Sequence, residues 1–326
     1  MRRFAAVFLA LILATPGHAQ SAFEAQNAAM FRQIEAVHGV FAAQLAAVKA
    51  IFARSGFAGQ GNPAVARHPM SLEECRARAP GGGEGYANPA FERICGAKYM
   101  APLYDPRTQR PEDATACIDQ FEFPNIPCTY PVTWIRAREA AEVCAAMGKR
   151  ICDAHEWEGA CAGALEEPNY RFGIGPGQVS STAKAMNREN AATKTWAYGD
   201  AYQKGVCAAA GQKSPGCQGG GWTACGSNTY PTGAFPNCRS ALGVYDQHGN
   251  AAEHMNLPLQ PDQMASRGST KLGVTEMKGS WFIFDNYYAH QDWCRWRAPY
   301  WHGSRVLAAG SHSNYHLGFR CCKTVD

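Results

Sequence analysis

The residues best suited to chemistry lie in one stretch near the carboxyl terminus, from Met277 to Lys323, which is dense in aromatic rings and histidines. Imidazole titrates nearest neutral pH, so a histidine flanked by tyrosines is the leading acid/base candidate. Aromatic rings supply contact area, and several also carry a polar group, which is typical of a binding cleft. The candidate catalytic residues are Ser280, Tyr288, His290 and Arg297. The candidate cleft residues are Trp281, Phe284, Tyr287, Trp293, Trp296 and Trp301.

Each histidine in this stretch also has a structural alternative, in which the ring is buried and hydrogen-bonded. His312 and His316 have the spacing that would place two imidazoles on one face of a helix and so serve a metal. The glycine and serine residues around them favour a loop instead. Ser280 has no histidine and aspartate partners that the sequence can place, so a hydrolase triad is not favoured.

A second pattern, between Asp246 and Glu253, combines two carboxylates with the backbone carbonyls of Gly249 and Ala251. Calcium prefers hard oxygen ligands in a flexible loop. From the residues alone, a structural calcium site and an ordinary polar turn both remain open.

The amino terminus has the pattern of a secretory signal. Arg2 and Arg3 precede an apolar run and then small residues up to Ala19, which predicts a signal peptide over residues 1–19. All 14 cysteines follow it, and a high, even count in an exported chain indicates a disulfide framework. No later segment is apolar for long enough to cross a bilayer. The sequence therefore predicts a periplasmic or secreted protein.

The charge balance gives no sign of a nucleic-acid partner. Without Arg2 and Arg3 the 31 basic residues fall to 29, against 27 acidic residues. A chain so close to neutral carries no general attraction for a polyanion.

The sequence elements that must position these residues fall into three regions. Residues 20–57 have apolar residues at steps of three and four in an alanine-rich background, which predicts one amphipathic helix that packs on the main domain or oligomerises. Residues 58–116 are rich in Gly and Pro, and a bridge between Cys75 and Cys95 would tether them. Residues 117–326 form the main domain.

Within the main domain, the alternation after Cys117 predicts a strand closed by Pro124. Residues 136–147 predict a helix, and the capping pattern at Asp153 predicts the start of another. Residues 165–195 have the composition of an inserted loop.

Five ordered motifs in the main domain resemble the formylglycine-generating enzyme family, also called the sulfatase-modifying factor domain. They are Gly148-Lys149-Arg150 to Glu156-Trp157-Glu158, Tyr198-Gly199-Asp200, Val244-Tyr245-Asp246 to Glu253, Lys278-Gly279-Ser280-Trp281, and Gly318-Phe319-Arg320-Cys321. The resemblance implies an irregular, disulfide-linked α+β fold that is similar to C-type lectins and low in regular secondary structure. It also implies two bridges, Cys144 to Cys321 and Cys161 to Cys294.

The resemblance favours calcium, with ligands at Asp246, Gly249, Ala251 and Glu253, and it disfavours copper. Family members that convert a sulfatase cysteine bind copper(I) through two cysteines just after the Gly-Ser motif, and thiolates suit that soft ion. The matching positions here are Ile283 for the first cysteine and Tyr288 or Ala289 for the second. A copper-dependent sulfatase activator is therefore the less favoured reading.

Exported relatives that act in pyoverdine maturation also lack the thiol pair, which makes them the closer functional parallel. That resemblance implies a periplasmic oxidoreductase or tailoring enzyme acting on a peptide-like substrate. The alternative is a non-catalytic module that binds a peptide, glycan or partner protein on the same scaffold. Sulfoxide synthases of the ergothioneine type require three iron-binding histidines before this domain, whereas the mature chain holds only His38 and His68 there.

Overall fold

A computed structural model describes residues 16–298 and 304–325 of the chain. Most of the predicted signal peptide, residues 1–15, and one predicted cleft residue, Trp301, lie outside the described residues. The first described helix begins at Pro16, so the predicted cleavage after Ala19 falls within it. Within these ranges no helix has both the length and the apolar character that a membrane crossing requires.

The α-helices of the described residues precede most of the strands in the chain. Their bounds are α1 Pro16–His38, α2 Ala42–Ser55, α3 Leu72–Arg78, α4 Pro89–Cys95, α5 Ala137–Ala146, α6 Ala154–Ala162 and α7 Val179–Asn190. The capping pattern predicted at the start of α6 is present in part, because the Asp153 N–H donates to the Glu156 carboxylate at 2.8 Å.

The strands form two small sheets. Their bounds are β1 Met100–Leu103, β2 Ala116–Asp119, β3 Arg150–Ile151, β4 Ala252–Leu257, β5 Val274–Lys278, β6 Leu317–Gly318 and β7 Cys321–Thr324. One sheet has the order β1-β2-β7-β3 and is antiparallel throughout. The other has the order β5-β4-β6, in which β4 and β6 are parallel. Because β1 pairs with β2, the ordered domain begins well before the predicted boundary at residue 117.

Helices account for 33% and strands for 12% of the chain, so a large part of the described residues is irregular and needs other stabilisation. Seven disulfides supply part of it. Both bridges implied by the family resemblance are present, Cys144–Cys321 and Cys161–Cys294. They close loops of 177 and 133 residues, for which the chain-entropy model gives about 5 kcal/mol each as an upper figure.

The predicted bridge between Cys75 and Cys95 is wrong. Cys95 ends α4, immediately before β1, and the pairing of β1 with β2 brings it to Cys117 at the start of β2. Cys75 pairs instead with Cys128, 53 residues away. Strand pairing therefore decides the partner of Cys95.

The single helix predicted over residues 20–57 is two helices. Gly39 ends α1 with φ of 60°, and Phe41 starts α2. The apolar residues of both helices pack in one core cluster with Val143 of α5 and Phe319. These side chains therefore pack within the chain, and oligomerisation through the helices stays a prediction.

The loop predicted over residues 165–195 contains a helix. The buried side chains of α7 are Val179, Ala183 and Met186, at steps of four and three. The Asn187 side chain also joins α7 to the backbone of Arg297 by two hydrogen bonds of 2.8 and 2.9 Å. The segment therefore packs against the carboxyl-terminal stretch.

Candidate functional site

The carboxyl-terminal aromatic stretch is positioned by the β4–β5 hairpin, which leads directly into it. At the end of β5, Gly279 has φ of 72°, and a Cβ there would lie 2.7 Å from the Gln247 carbonyl oxygen. Only glycine fits this close approach. The turn directs Ser280 inward and starts the run of rings at Trp281.

Most of the predicted cleft residues do not line an open cleft. Trp281, Phe284, Trp293 and Trp296 are buried in the core, at 2 to 7% exposure. Of the predicted set within the described residues, Tyr287 is exposed, and its neighbour Tyr288 is exposed too, at 57% and 61%. Large buried rings are the usual core filling, so these tryptophans support the surface instead of forming it.

The exposed rings form a surface that we call the aromatic face, consisting of Tyr202, Tyr287 and Tyr288. The Tyr288 ring packs on Phe284 with centroids 4.9 Å apart, and Tyr202 packs on the same ring at 6.0 Å. The Tyr202 hydroxyl donates to the Asp285 carboxylate. Lys213 lies over the Tyr287 ring, 4.7 Å from its centroid. The face therefore offers rings together with one ammonium and one carboxylate.

His290 contacts Phe284, the buried ring on which Tyr202 and Tyr288 of the aromatic face pack. It is 9% exposed, stacks on Trp296 with centroids 4.8 Å apart, and contacts Trp281 at 5.0 Å and Phe284 at 5.9 Å. Its Nδ1 is 2.6 Å from the Gln291 carbonyl oxygen, which only accepts, so Nδ1 carries the proton. Its Nε2 then holds a lone pair that has no partner among the described residues. Burial lowers the pKa of His290, so the ring is neutral at neutral pH.

Ser280 is not placed as a nucleophile. It is fully buried, accepts the Gly249 N–H at 2.8 Å and donates to the Asp292 carboxylate at 3.1 Å. His248 Nδ1 lies 3.6 Å from the same carboxylate oxygen of Asp292. Among the described residues no histidine hydrogen-bonds the Ser280 hydroxyl, whose proton goes to Asp292, so no hydrolytic triad forms.

Arg297 is also buried. It is 3% exposed and lies 3.2 Å from both the Glu158 and the Glu276 carboxylates. Lys278 completes this buried ion cluster, 2.6 Å from Glu158. Buried charges require partners of this kind, and Glu158 and Glu276 supply them for Arg297.

The predicted calcium ligands do not form an open shell of oxygens. Both carboxylate oxygens of Glu253 accept from the Arg320 guanidinium, at 2.6 and 2.7 Å. One carboxylate oxygen of Asp246 accepts the Gly233 N–H at 2.6 Å. A divalent cation at Glu253 would find both carboxylate oxygens already bonded to the positively charged guanidinium of Arg320. These residues as arranged do not fit calcium.

The family resemblance predicted calcium at this segment, and with the residues arranged as they are its binding would require Arg320 to release Glu253. Because the guanidinium already satisfies that carboxylate, we expect metal-stripped protein to unfold at the same temperature with calcium or with chelator. Isothermal calorimetry with calcium, beside a thermal melt, measures this. Heat of binding at one equivalent together with a higher unfolding temperature would restore the predicted calcium site.

His312 and His316 are not on a helix. They lie in irregular chain before β6, as the glycine and serine residues around them predicted. His316 stacks on Trp281 with centroids 4.5 Å apart, and burial followed by the charges of His312 and His290 lowers its pKa to about 3. The ring is therefore neutral and part of the aromatic core.

The family's copper thiolates have no counterpart among the described residues. All the cysteines are in disulfides and none is free. Ile283 is buried and Tyr288 exposed at two of the three positions matched to the copper ligands. These side chains do not fit a copper bis-thiolate centre.

Two cavities lie away from His290. One, of about 500 Å³, lies between α1 and α2 and is lined by apolar and charged side chains such as Phe31, Phe52 and Lys49. The other, of about 490 Å³, is polar and lies beside Arg107 and His155. Neither contains a residue of the aromatic face.

Irregular chain held by seven bridges and two small sheets defines an α+β domain built around loops. A family model described as the sulfatase-modifying factor enzyme 1-like domain matches residues 91–325. The chain belongs to this family, the formylglycine-generating enzyme or FGE-sulfatase family.

The other comparisons are distant. A solved structure titled "Crystal Structure of CarF" is 14% identical, with a TM-score of 0.29, and the match covers 60% of this chain and 68% of that one. No curated protein matches the chain.

Proposed function

We propose that this protein is an exported member of the formylglycine-generating enzyme family that holds a peptide-like ligand on the aromatic face. There it acts as an oxidoreductase or tailoring enzyme, with His290 as the proton acceptor. The observation that carries the proposal is the buried, unpartnered Nε2 of His290, whose ring contacts Phe284, the same ring on which exposed Tyr288 packs. A buried nitrogen lone pair without a partner is costly unless a ligand uses it.

The chemistry of the face supports a peptide. Tyrosine rings bind apolar side chains and donate hydrogen bonds to backbone carbonyls. Lys213 and Asp285 offer opposite charges beside them, which suits a chain that carries both. The neutral imidazole of His290 can take a proton from the bound segment. Dioxygen is the oxidant we propose, since the removal of two electrons from a peptide needs an acceptor.

Export rests on the disulfides. Seven intramolecular bridges with no free thiol are typical of proteins that fold in an oxidising compartment. We propose a periplasmic or secreted location on this ground. Fractionation of cells expressing the full chain tests it, and reduced protein recovered only from the cytoplasm would contradict it.

Selection from a pool of short synthetic peptides tests ligand binding. We expect wild-type protein to retain a subset of peptides. The Tyr287→Ala/Tyr288→Ala variant should bind those peptides at least about 10-fold more weakly, because two rings are lost. The Phe41→Ala variant is the matched control, since Phe41 is 77% exposed in the connection between α1 and α2. Equal retention by all three proteins would contradict the proposed face.

The His290→Gln variant tests the reaction on the selected peptides. We expect it to keep binding but to lose at least about 100-fold of the rate of peptide mass change and dioxygen uptake, because positioned proton acceptors contribute that much. His312→Gln, which alters another histidine of the same stretch, should stay near the wild-type rate. Stoichiometric binding without any product from wild-type protein would identify the non-catalytic binding module. That alternative is favoured because Ser280 is hydrogen-bonded to Asp292 and Arg297 is paired with Glu158 and Glu276.

A further inference from the structure

One disulfide of this chain has a histidine nitrogen beside it. The Sγ atoms of Cys161 and Cys294 and a ring nitrogen of His248 all lie within 4.8 Å of one another, and all three residues are buried. His248 Nε2 is 3.3 Å from Cys161 Sγ. Among the described residues no other group of three cysteine, histidine or carboxylate side chains is assembled this closely.

The imidazole of His248 is oriented as a ligand. Its Nε2 accepts the Ala197 N–H at 3.0 Å, so the ring proton is on Nδ1. Nδ1 lies 3.6 Å from the Asp292 carboxylate. That carboxylate is fixed in turn by Trp196 Nε1 at 2.9 Å and Ser280 Oγ at 3.1 Å. A carboxylate behind the remote nitrogen is the arrangement that sets the tautomer of histidines bound to metals.

We propose that the reduced form of this bridge is a metal site in which Cys161, Cys294 and His248 bind one thiophilic cation with a filled d shell, such as Zn²⁺. Two thiolates and one imidazole are ligands of the type that zinc takes, with a fourth position left for water. The ion would bind the lone pair that now accepts the Ala197 N–H, so zinc binding would break that hydrogen bond. The site is separate from the aromatic face and does not depend on the proposed function.

The conversion between the two states is balanced. A dithiol reductant gives two electrons and two protons to the Cys161–Cys294 bond, which breaks into two thiols while the reductant forms its own disulfide. Zinc binding then releases the two thiol protons to solvent. Oxidation by a disulfide oxidant removes two electrons, reforms the S–S bond and expels the ion. The disulfide and the bound ion therefore exclude each other at Cys161 and Cys294.

Zinc content of the reduced, folded protein tests the site. Protein reduced under native conditions, checked by circular dichroism and freed of reductant, is equilibrated with Zn²⁺ and weighed by native mass spectrometry. We expect it to hold one more equivalent than the Cys161→Ser/Cys294→Ser variant treated alike. The Cys217→Ser/Cys225→Ser variant loses a different bridge, one with no such histidine group, and should keep the site equivalent. Equal zinc in wild type and Cys161→Ser/Cys294→Ser would overturn the proposal.

A second pair of variants separates the site from reduction of the other bridges. Cys161→Asp leaves six bridges oxidised and offers a carboxylate, the Cys294 thiolate and His248 without any reductant. We expect it to bind one Zn²⁺, and Asp292→Asn in the same background to bind it about 10- to 100-fold more weakly, as loss of a carboxylate behind a metal-bound histidine does. With Co²⁺ as probe, thiolate ligation should add a near-ultraviolet absorption band. No ion bound by Cys161→Asp and no thiolate band would overturn the site.

Discussion

The Arg320→Met variant is expected to lose about 3 to 5 kcal/mol of unfolding free energy, because it breaks a buried ion pair by removing one partner. Arg320 is fully buried, and its two hydrogen bonds to Glu253 leave three more N–H groups for backbone carbonyls. Those acceptors belong to Asp119, Gln120 and Tyr245, at 2.9 to 3.2 Å. Urea unfolding with the disulfides intact measures the loss.

An exposed ion pair supplies the control for Arg320. Arg54 pairs with Glu142 on the surface, with 57% of the arginine side chain exposed, and such pairs contribute at most about 1 kcal/mol. Arg54→Met should therefore unfold close to wild type. If Arg320→Met were as stable as Arg54→Met, the buried pair would not organise the core, and the argument against calcium at Glu253 would fail with it.

The Asp246→Asn variant is expected to reduce the loss of stability that accompanies rising pH. Burial, the largest cause, raises the pKa of Asp246 from 3.8 to about 7, and the nearby Glu253 carboxylate adds to the rise. Because the folded state binds this proton more tightly, the stabilisation is complete below about pH 4 and is lost as pH rises through 7. The difference corresponds to at most about 4 kcal/mol. Chemical unfolding at pH 5 and at pH 8 measures the part that is lost between those two values, at most about 3 kcal/mol.

The surroundings of Asp246 explain why the slope should shrink and not vanish. Glu122 and Glu253 face it, and burial raises the pKa of both, while Arg320 opposes the rise. Those carboxyl groups keep contributing in the same direction. The buried histidines act oppositely at low pH, so the comparison is the difference between variant and wild type. Asp262→Asn, at a carboxylate with 63% of its side chain exposed, should match wild type. An unchanged slope in Asp246→Asn would contradict the assignment.

The disulfides show how far sequence reasoning extends. Family resemblance supplied Cys144–Cys321 and Cys161–Cys294, because the motifs that hold them are in the matched domain. Proximity in sequence supplied the wrong partner for Cys95, because the pairing of β1 with β2 brings it to Cys117. Strand pairing joins residues that are distant in sequence, and the spacing of the cysteines does not reveal it.

The helices were easier to predict than their ends. The apolar period of α1 and α2 was readable, but the break at Gly39 was hidden by alanines that favour helix on both sides. In α7 the steps from Val179 to Ala183 and Met186 were a usable signal, although glycine and asparagine nearby outweighed it. Local composition therefore misled where a short helix was enclosed by irregular chain.

Burial separates the site residues that could be predicted from those that could not. The sequence singled out His290 and Tyr288 because histidine and tyrosine types suit the chemistry. It also singled out Ser280 and Arg297, which the fold turns into a buried hydrogen-bonded group and a buried ion cluster. Tyr202 and Lys213 were missed, because they reach the aromatic face from a different loop region. Nothing in the sequence measures exposure at single residues.

The central claim is that the unpartnered Nε2 of His290 is the atom that a bound peptide contacts. Nitrogen-15 NMR of the imidazole tests this claim most directly. Long-range correlation spectra at neutral pH, with His290→Gln used for assignment, report which nitrogen carries the proton. The structure predicts a neutral ring protonated on Nδ1, whose Nε2 resonance shifts when a selected peptide binds. A ring protonated on Nε2, or an Nε2 resonance unmoved at saturating peptide, would contradict the proposed site.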